Sequence, residues 1–267
     1  MKVRDIASLM ESIAPLELKE SFDNVGLMVG DMESTVSKVL IALDCTLQVI
    51  EEAKKEKVEL IITHHPLLFR KPSSITTDTL LGKKIIELIK SDINLYSAHT
   101  NLDSIKEGMN DTIVRLLGFS SDKIIELSKQ RGYENSGLGR IISVKDGIEL
   151  QSLIKRIKQK LGVNSLRYAG KENQVVRTIA VINGSGQDFF EVAKRMGADC
   201  IITGDTTYHF VSDFKELGIS IIDIGHFSSE WPALVAISEN IKEQINKFDS
   251  HVDIIISKAS EDPYSFA

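Results

Sequence analysis

An α/β protein made of two similar three-layer lobes is what the sequence predicts, and three observations carry that prediction. Short β-branched apolar runs alternate with amphipathic helical patterns along the chain. One strand–helix–strand unit is written twice, as KVLIALDCTLQVIEEAKKEKVELIITHH from Lys38 to His65 and as RTIAVINGSGQDFFEVAKRMGADCIITGD from Arg177 to Asp205. The two copies differ in register by a single residue, which an internal duplication explains. A chain of 267 residues with 42% hydrophobic and 26% charged content also has the size and composition for two lobes. The polar, turn-rich stretch 118–136 marks their boundary, which gives a first lobe over 1–125 and a second over 126–267.

The elements follow in order. Ile6, Leu9, Met10 and Ile13 stand at helical spacing over 4–13, and Pro15 follows the end of the pattern. Next, polar residues and two glycines bracket a short apolar strand in SFDNVGLMVG, where Asp23 and Asn24 read as turn formers or as residues bordering a site. Strand 39–43, a helix over 46–57 with Val49, Ile50 and Ala53 on one face, and strand 58–63 form a parallel, right-handed βαβ unit. The segment 67–77 is loop-like, suited to a lid or substrate wall. A helix over 79–90, strand 93–98 and a helix over 107–117 complete the first lobe.

In the second lobe, Gly137-Leu138-Gly139-Arg140 fits a tight turn as well as a phosphate loop. A helix over 148–161 and a strand over 165–169 follow. Asn183-Gly184-Ser185-Gly186 then joins strand 178–182 to a helix over 188–196, as a plain turn or as an anion cradle. Strand 219–224 leads into a helix over 229–246 with Pro232 in its first turn, and a strand near 252–256 closes the lobe. His251, before that strand, reads as structural.

Histidines and carboxylates collect where strands end. Ile61-Ile62-Thr63-His64-His65-Pro66 is a buried strand stopping on two imidazoles, and Pro66 restrains the second of them. Ligands sit at that edge of α/β sheets. The plainer alternative is one hydrogen-bonded core histidine beside one surface histidine. Strand 93–98 runs to His99 with Asp103 four positions on, and strand 219–224 runs to His226 with Glu230 four positions on. His64, His65, Asp103, His226 and Glu230 are therefore candidate metal ligands. Nitrogen and oxygen donors without cysteine suit Zn, Fe(II) or Mn. Five ligands, one able to bridge, suit two divalent ions at the lobe interface, and the matching reaction class is metal-assisted hydrolysis. His99, Asp205 and His209 then serve as supporting or acid/base groups, and His99 is also a candidate sixth ligand.

Composition excludes other classes. The net charge of -6 comes with lysines scattered among acids, so the basic face that nucleic acid needs is missing. The two cysteines, Cys45 and Cys200, have neither zinc-ribbon nor redox spacing and fit a reducing cytoplasm. Arg4, Asp5 and Glu11 interrupt any signal-peptide core, and no run approaches a membrane span.

Taken together, THHP at 63–66, HTNLD at 99–103, ITGD followed by His209, GHFSSE at 225–230, DNVGL at 23–27, GLGR at 137–140 and NGSG at 183–186 resemble the GTP cyclohydrolase 1 type 2 family. That family also has a eukaryotic member found as a transcription-factor-interacting protein. The resemblance runs nearly end to end. It implies a duplicated α/β fold, a dinuclear site at the lobe interface, a homohexameric ring and the same five ligands. Phe22 stands where an indole is usual in the family, and Phe227 and Ser229 where tyrosine and threonine are usual; none of these is a ligand. The inserted domain of longer relatives is lacking. The implied activity is hydrolysis of a nucleotide, with GTP as the family's named substrate and formate as the leaving group. The alternatives are a metal chaperone or insertase that carries the ions as cargo, and a regulatory metal-binding scaffold.

Overall fold

The computed structural model describes residues 1–266. In chain order its first elements are α1 (Val3–Ile13), β1 (Gly26–Val29), β2 (Lys38–Ala42), α2 (Leu47–Glu56), β3 (Leu60–Thr63), α3 (Leu80–Lys90), β4 (Asn94–Ser97), α4 (Thr100–Ser104) and α5 (Met109–Leu116). There follow β5 (Lys123–Leu127), β6 (Gly137–Glu149), α6 (Leu150–Leu161), β7 (Arg167–Ala169), β8 (Val175–Ile182), α7 (Phe190–Arg195), β9 (Cys200–Thr203), α8 (Tyr208–Glu216), β10 (Ser220–Asp223), α9 (His226–Phe248) and β11 (Asp253–Ile256). They form two compact units, one of Met1–Leu102 with Leu234–Glu261 and the other of Asp103–Ala233 with the residues from Asp262 on.

The first unit is built on the sheet β1-β4-β3-β2-β11. Its strands β2, β3, β4 and β11 are parallel, and β1 lies antiparallel on β4. Alternation along each strand sends Leu40, Ala42, Ile61 and Leu95 to one face, where they pack with Val49, Ile50 and Ala53 of α2 and Ile85 and Leu88 of α3. Val39, Ile41, Leu60 and Ile62 point the other way and are equally buried, so both faces are covered, as a parallel sheet requires. Threonines begin both helices: the Thr46 hydroxyl accepts from Val49 N and the Thr79 hydroxyl from Gly82 N.

The second unit carries the sheet β5-β6-β8-β9-β10-β7. Ala180, Ile182, Ile201 and Ile221 pack with Phe190 and Ala193 of α7 and Phe214 of α8. The run β7-β10-β9-β8 repeats β1-β4-β3-β2 in order and sense, with an antiparallel edge strand followed by three parallel strands. Thr63 pairs with Ala42 and Thr203 with Ile182, the same separation along the chain in both.

Four features differ from the sequence expectation. The turn-rich stretch 118–136 contains β5, a strand with Ile125 as its one buried residue, too weakly patterned to stand out. β6 runs for 13 residues up to the start of α6. β11, placed by chain order with the second lobe, completes the first sheet, where Ile254, Ile255 and Ile256 pair with Val39, Leu40 and Ile41. Finally α9 begins at His226 rather than near 229, which puts Pro232 inside the helix instead of in its first turn.

Candidate metal centre

Because β2, β3 and β4 are parallel, the three chain exits lie on one sheet edge. The residues there are Asp44 after β2, His64 and His65 after β3, and His99 after β4. Backbone pairing continues past the strand end, His64 N donating to Ala42 O and His65 N to Leu43 O, so both imidazoles leave a fixed backbone. Each ring is then held at Nδ1. His64 Nδ1 donates to Ala98 O at 2.9 Å, His65 Nδ1 to Asp44 Oδ1 at 2.9 Å and His99 Nδ1 to Asp23 Oδ1 at 2.9 Å. Donation through Nδ1 selects the tautomer that offers Nε2 to a metal. The coordinating atoms that His64, His65 and His99 can offer all lie within 4.8 Å of one another. The plainer reading of one core and one surface histidine does not describe them: His64 is fully buried and His65 mostly so, yet their rings stand 5.2 Å apart and 5.1 and 5.6 Å from His99.

Asp23 belongs to this arrangement as more than a turn former. Burial would raise its pKa, but hydrogen bonds from His99 and from the Thr100 hydroxyl and amide outweigh that and bring it down to about 2. It remains a carboxylate and keeps His99 oriented. Phe69, in the loop expected to act as a lid or wall, stands 6.4 Å from the His99 ring and 6.2 Å from the exposed Phe22 ring.

The second unit makes the corresponding set where β8, β9 and β10 end. His226 opens α9 and Glu230 lies one turn along, so both project from the same helix face. His226 Nδ1 donates to Asp205 Oδ2 at 2.7 Å, and His226 Nε2 lies 3.1 Å from Glu230 Oε2. Asp205 comes from the loop after β9, where the first unit has its double histidine. Asp103, in α4, is tied into the same unit through its backbone: its carbonyl accepts from Asn110 Nδ2, and Asn110 Oδ1 accepts from Asn183 N.

The NGSG turn makes room for Glu230. Gly184 has φ +58, and a side-chain carbon there would lie 2.3 Å from Glu230 Oε1. Gly184 is held at both of its backbone polar atoms, N with the Ser229 hydroxyl and O with Gly204 N, Asp205 N and the Thr203 hydroxyl. Only a short 3₁₀ turn and the six-residue α7 follow, and Gly184 with its positive φ makes the motif a tight turn. GLGR, by contrast, is neither a tight turn nor a phosphate loop: it is the start of β6, paired with β5. There Arg140 is buried and donates to Asp111 and to the carbonyls of Gly137 and Gly139, which ties the strand to α5.

The structure thus brings His64, His65 and His99 together in one unit, and His226, Glu230 and Asp205 in the other. His209 is exposed on α8 with its ring 5.4 Å from Tyr208, and His251 is exposed beside Asp249. Sequence reasoning missed Asp44, whose position directly after a parallel strand next to the histidine strand was the available signal. Asn183, in the NGSG turn, has two amide atoms closed to solvent and without a partner among the described residues.

The family model for Duf34/NIF3 (NGG1p interacting factor 3) matches residues 1–263. A relative from Clostridium perfringens, named GTP cyclohydrolase 1 type 2 homolog, is 59% identical over 100% of both chains. Among solved structures, a Bacillus cereus protein related to NIF3 matches at a TM-score of 0.91 and 26% identity, covering 100% of this chain and 99% of that one. Reduced HcgD from Methanocaldococcus jannaschii matches at 0.81 and 33%, covering 97% and 98%.

Proposed function

The chain belongs to the Duf34/NIF3 family, and from that premise we propose that it binds two divalent ions and is a metal-dependent hydrolase of a nucleotide-like small molecule. The ligands are His64, His65, Asp103, His226 and Glu230, with His99 as a sixth, and the ions are zinc, iron(II) or manganese. One observation carries the reading: four imidazoles each have Nδ1 held by a carbonyl or carboxylate oxygen, which selects in each the tautomer whose Nε2 can coordinate a metal. A core histidine needs no such consistent arrangement.

When bound, such ions polarise a substrate oxygen and lower the pKa of water toward neutrality. The chain's own residues do the rest. Asp44, Asp23 and Asp205 fix the ring planes of His65, His99 and His226. Gly184, by lacking a side chain, lets Glu230 lie against the NGSG turn. Phe22 and Phe69 form an apolar wall beside His99. The relative's name supports a nucleotide substrate, and the homohexameric ring comes from the resemblance.

The test is metal analysis of protein purified without added metal, followed by a nucleotide hydrolysis screen that follows formate. About two ions per chain are expected, lost in His65→Ala and in Glu230→Ala. Ions retained in both variants would refute the ligand set. His226 and Asp205 are 36% and 48% exposed, within reach of an acceptor protein, which favours the carrier as the second reading. Ions that pass rapidly to a chelating acceptor without any turnover would establish cargo in place of catalysis.

A further inference from the structure

A cavity of about 340 Å³ in the second unit lies between α8, the edge strand β7 and the exit of β10. None of the proposed metal ligands lines it. Tyr208, Val211, Ser212 and Lys215 of α8 line it at the i, i+3, i+4, i+7 spacing of a single helix face, and Arg167, Tyr168 and Ala169 of β7 line it as well. Its volume sits at the lower end of the roughly 300–1,000 Å³ typical of small-molecule sites.

The chemistry of the lining is selective. Tyr208 is 80% exposed and Tyr168 42%, so two aromatic rings are available to a ligand. Tyr168 is oriented at its hydroxyl, which accepts from Gln151 Nε2 and donates to Glu172 Oε1. Arg167 and Lys215 supply positive charge. Asp223 is the single acid in the lining and is already engaged: buried, it accepts from Arg167, from the Thr206 hydroxyl at 2.5 Å and from Gly225 N at 3.0 Å. Arg167 remains 73% exposed and keeps donors for a second anion. Aromatic faces with cations and no spare acid select an aromatic anion.

We propose that this cavity binds a mononucleotide, its base stacked on Tyr168 and Tyr208 and its phosphate held by Arg167 and Lys215. The site goes beyond the metal reading and does not depend on it. Through Asp223 and Gly225, a ligand on Arg167 is also linked to the turn that presents His226.

The experiment is calorimetric titration of the full chain, freed of metal with EDTA, using guanosine and adenosine monophosphate. Guanosine and ribose 5-phosphate serve as the half-ligands. A monophosphate should bind with a Kd below about 1 mM, and each half-ligand about tenfold more weakly. Lys215→Glu and Tyr208→Ala alter exposed side chains and should each weaken binding about tenfold with melting temperature and metal content unchanged. No binding by the wild type, equal binding of ribose 5-phosphate, or unchanged affinity in both variants would overturn the proposal. So would a smaller assembly in Tyr208→Ala, which would assign this face to a second copy of the chain. Because the titration is done without metal, its failure would leave the metal reading standing, and a metal-free wild type that binds would support the cavity whatever the hydrolysis screen returns.

Discussion

Replacing Gly184 with alanine separates the stability of the second unit from its ability to hold metal. Two costs can be worked from the structure. At φ +58 a non-glycine residue pays roughly 1–2 kcal/mol in the left-handed region. The new carbon would also lie 2.3 Å from Glu230 Oε1 and 3.3 Å from His226 Cε1, closer to the carboxylate than any real contact. The backbone cannot retreat, since Gly184 N and O are both held by neighbours, so the flexible end of Glu230 must swing away. The fold therefore loses roughly 2–8 °C of melting temperature. Metal affinity falls by at least the roughly 10–100-fold that follows loss of a supporting partner. Gly197→Ala is the control, because Gly197 has φ +88 with nothing within 4 Å of the added carbon. It carries the backbone cost without the displacement. Melting in EDTA and zinc competition against a chromophoric chelator measure the two effects. Equal zinc affinity in the two variants would refute the claim that Gly184 places Glu230.

Asp205→Ala removes the oxygen that holds His226 Nδ1; zinc affinity should fall by roughly 10–100-fold and recover in part in Asp205→Asn, which keeps an acceptor, as read by the same competition assay. Asn183→Leu removes two amide atoms that are shut off from water without a partner. Since an unpaired polar group costs roughly 1–3 kcal/mol, the metal-free melting temperature should rise, and a fall would show that the amide is bonded in the folded protein. For Asp111, burial raises the pKa, but its hydrogen bonds and ion pair with Arg140 prevail and leave it below the ordinary carboxylate range. A lowered folded pKa contributes stability that is complete above the unfolded value and is lost as pH falls through the folded one. Asp111→Asn should therefore be less stable at neutral pH and should show a shallower decline in acid, measured by urea titration across pH.

Sequence periodicity made the parallel core legible because β2, β3, β9 and β10 are short runs rich in β-branched residues and buried on both faces, and such runs read the same in any context. β5 was not legible, since its one buried residue supplies no period. The start of α9 was misplaced by three residues because Pro232 suggests a first turn, and the chain instead begins its helix at His226. Asp23 and Asn24 could not be separated from ordinary turn formers, because the role of Asp23 depends on His99 and Thr100, more than 70 positions away in the chain.

What the sequence determined by itself was local: where the buried parallel strands lie, which histidines stand at their ends, and that a strand–helix–strand pattern recurs along the chain. Each follows from side-chain type and spacing within a few residues. Tertiary structure alone decided which oxygen each imidazole donates to, that β11 completes the first sheet, and that Gly184, lacking a side chain, makes room for Glu230 beside His226. Those outcomes depend on groups far apart in the chain meeting within about 3 Å, and a linear pattern carries no term for that distance.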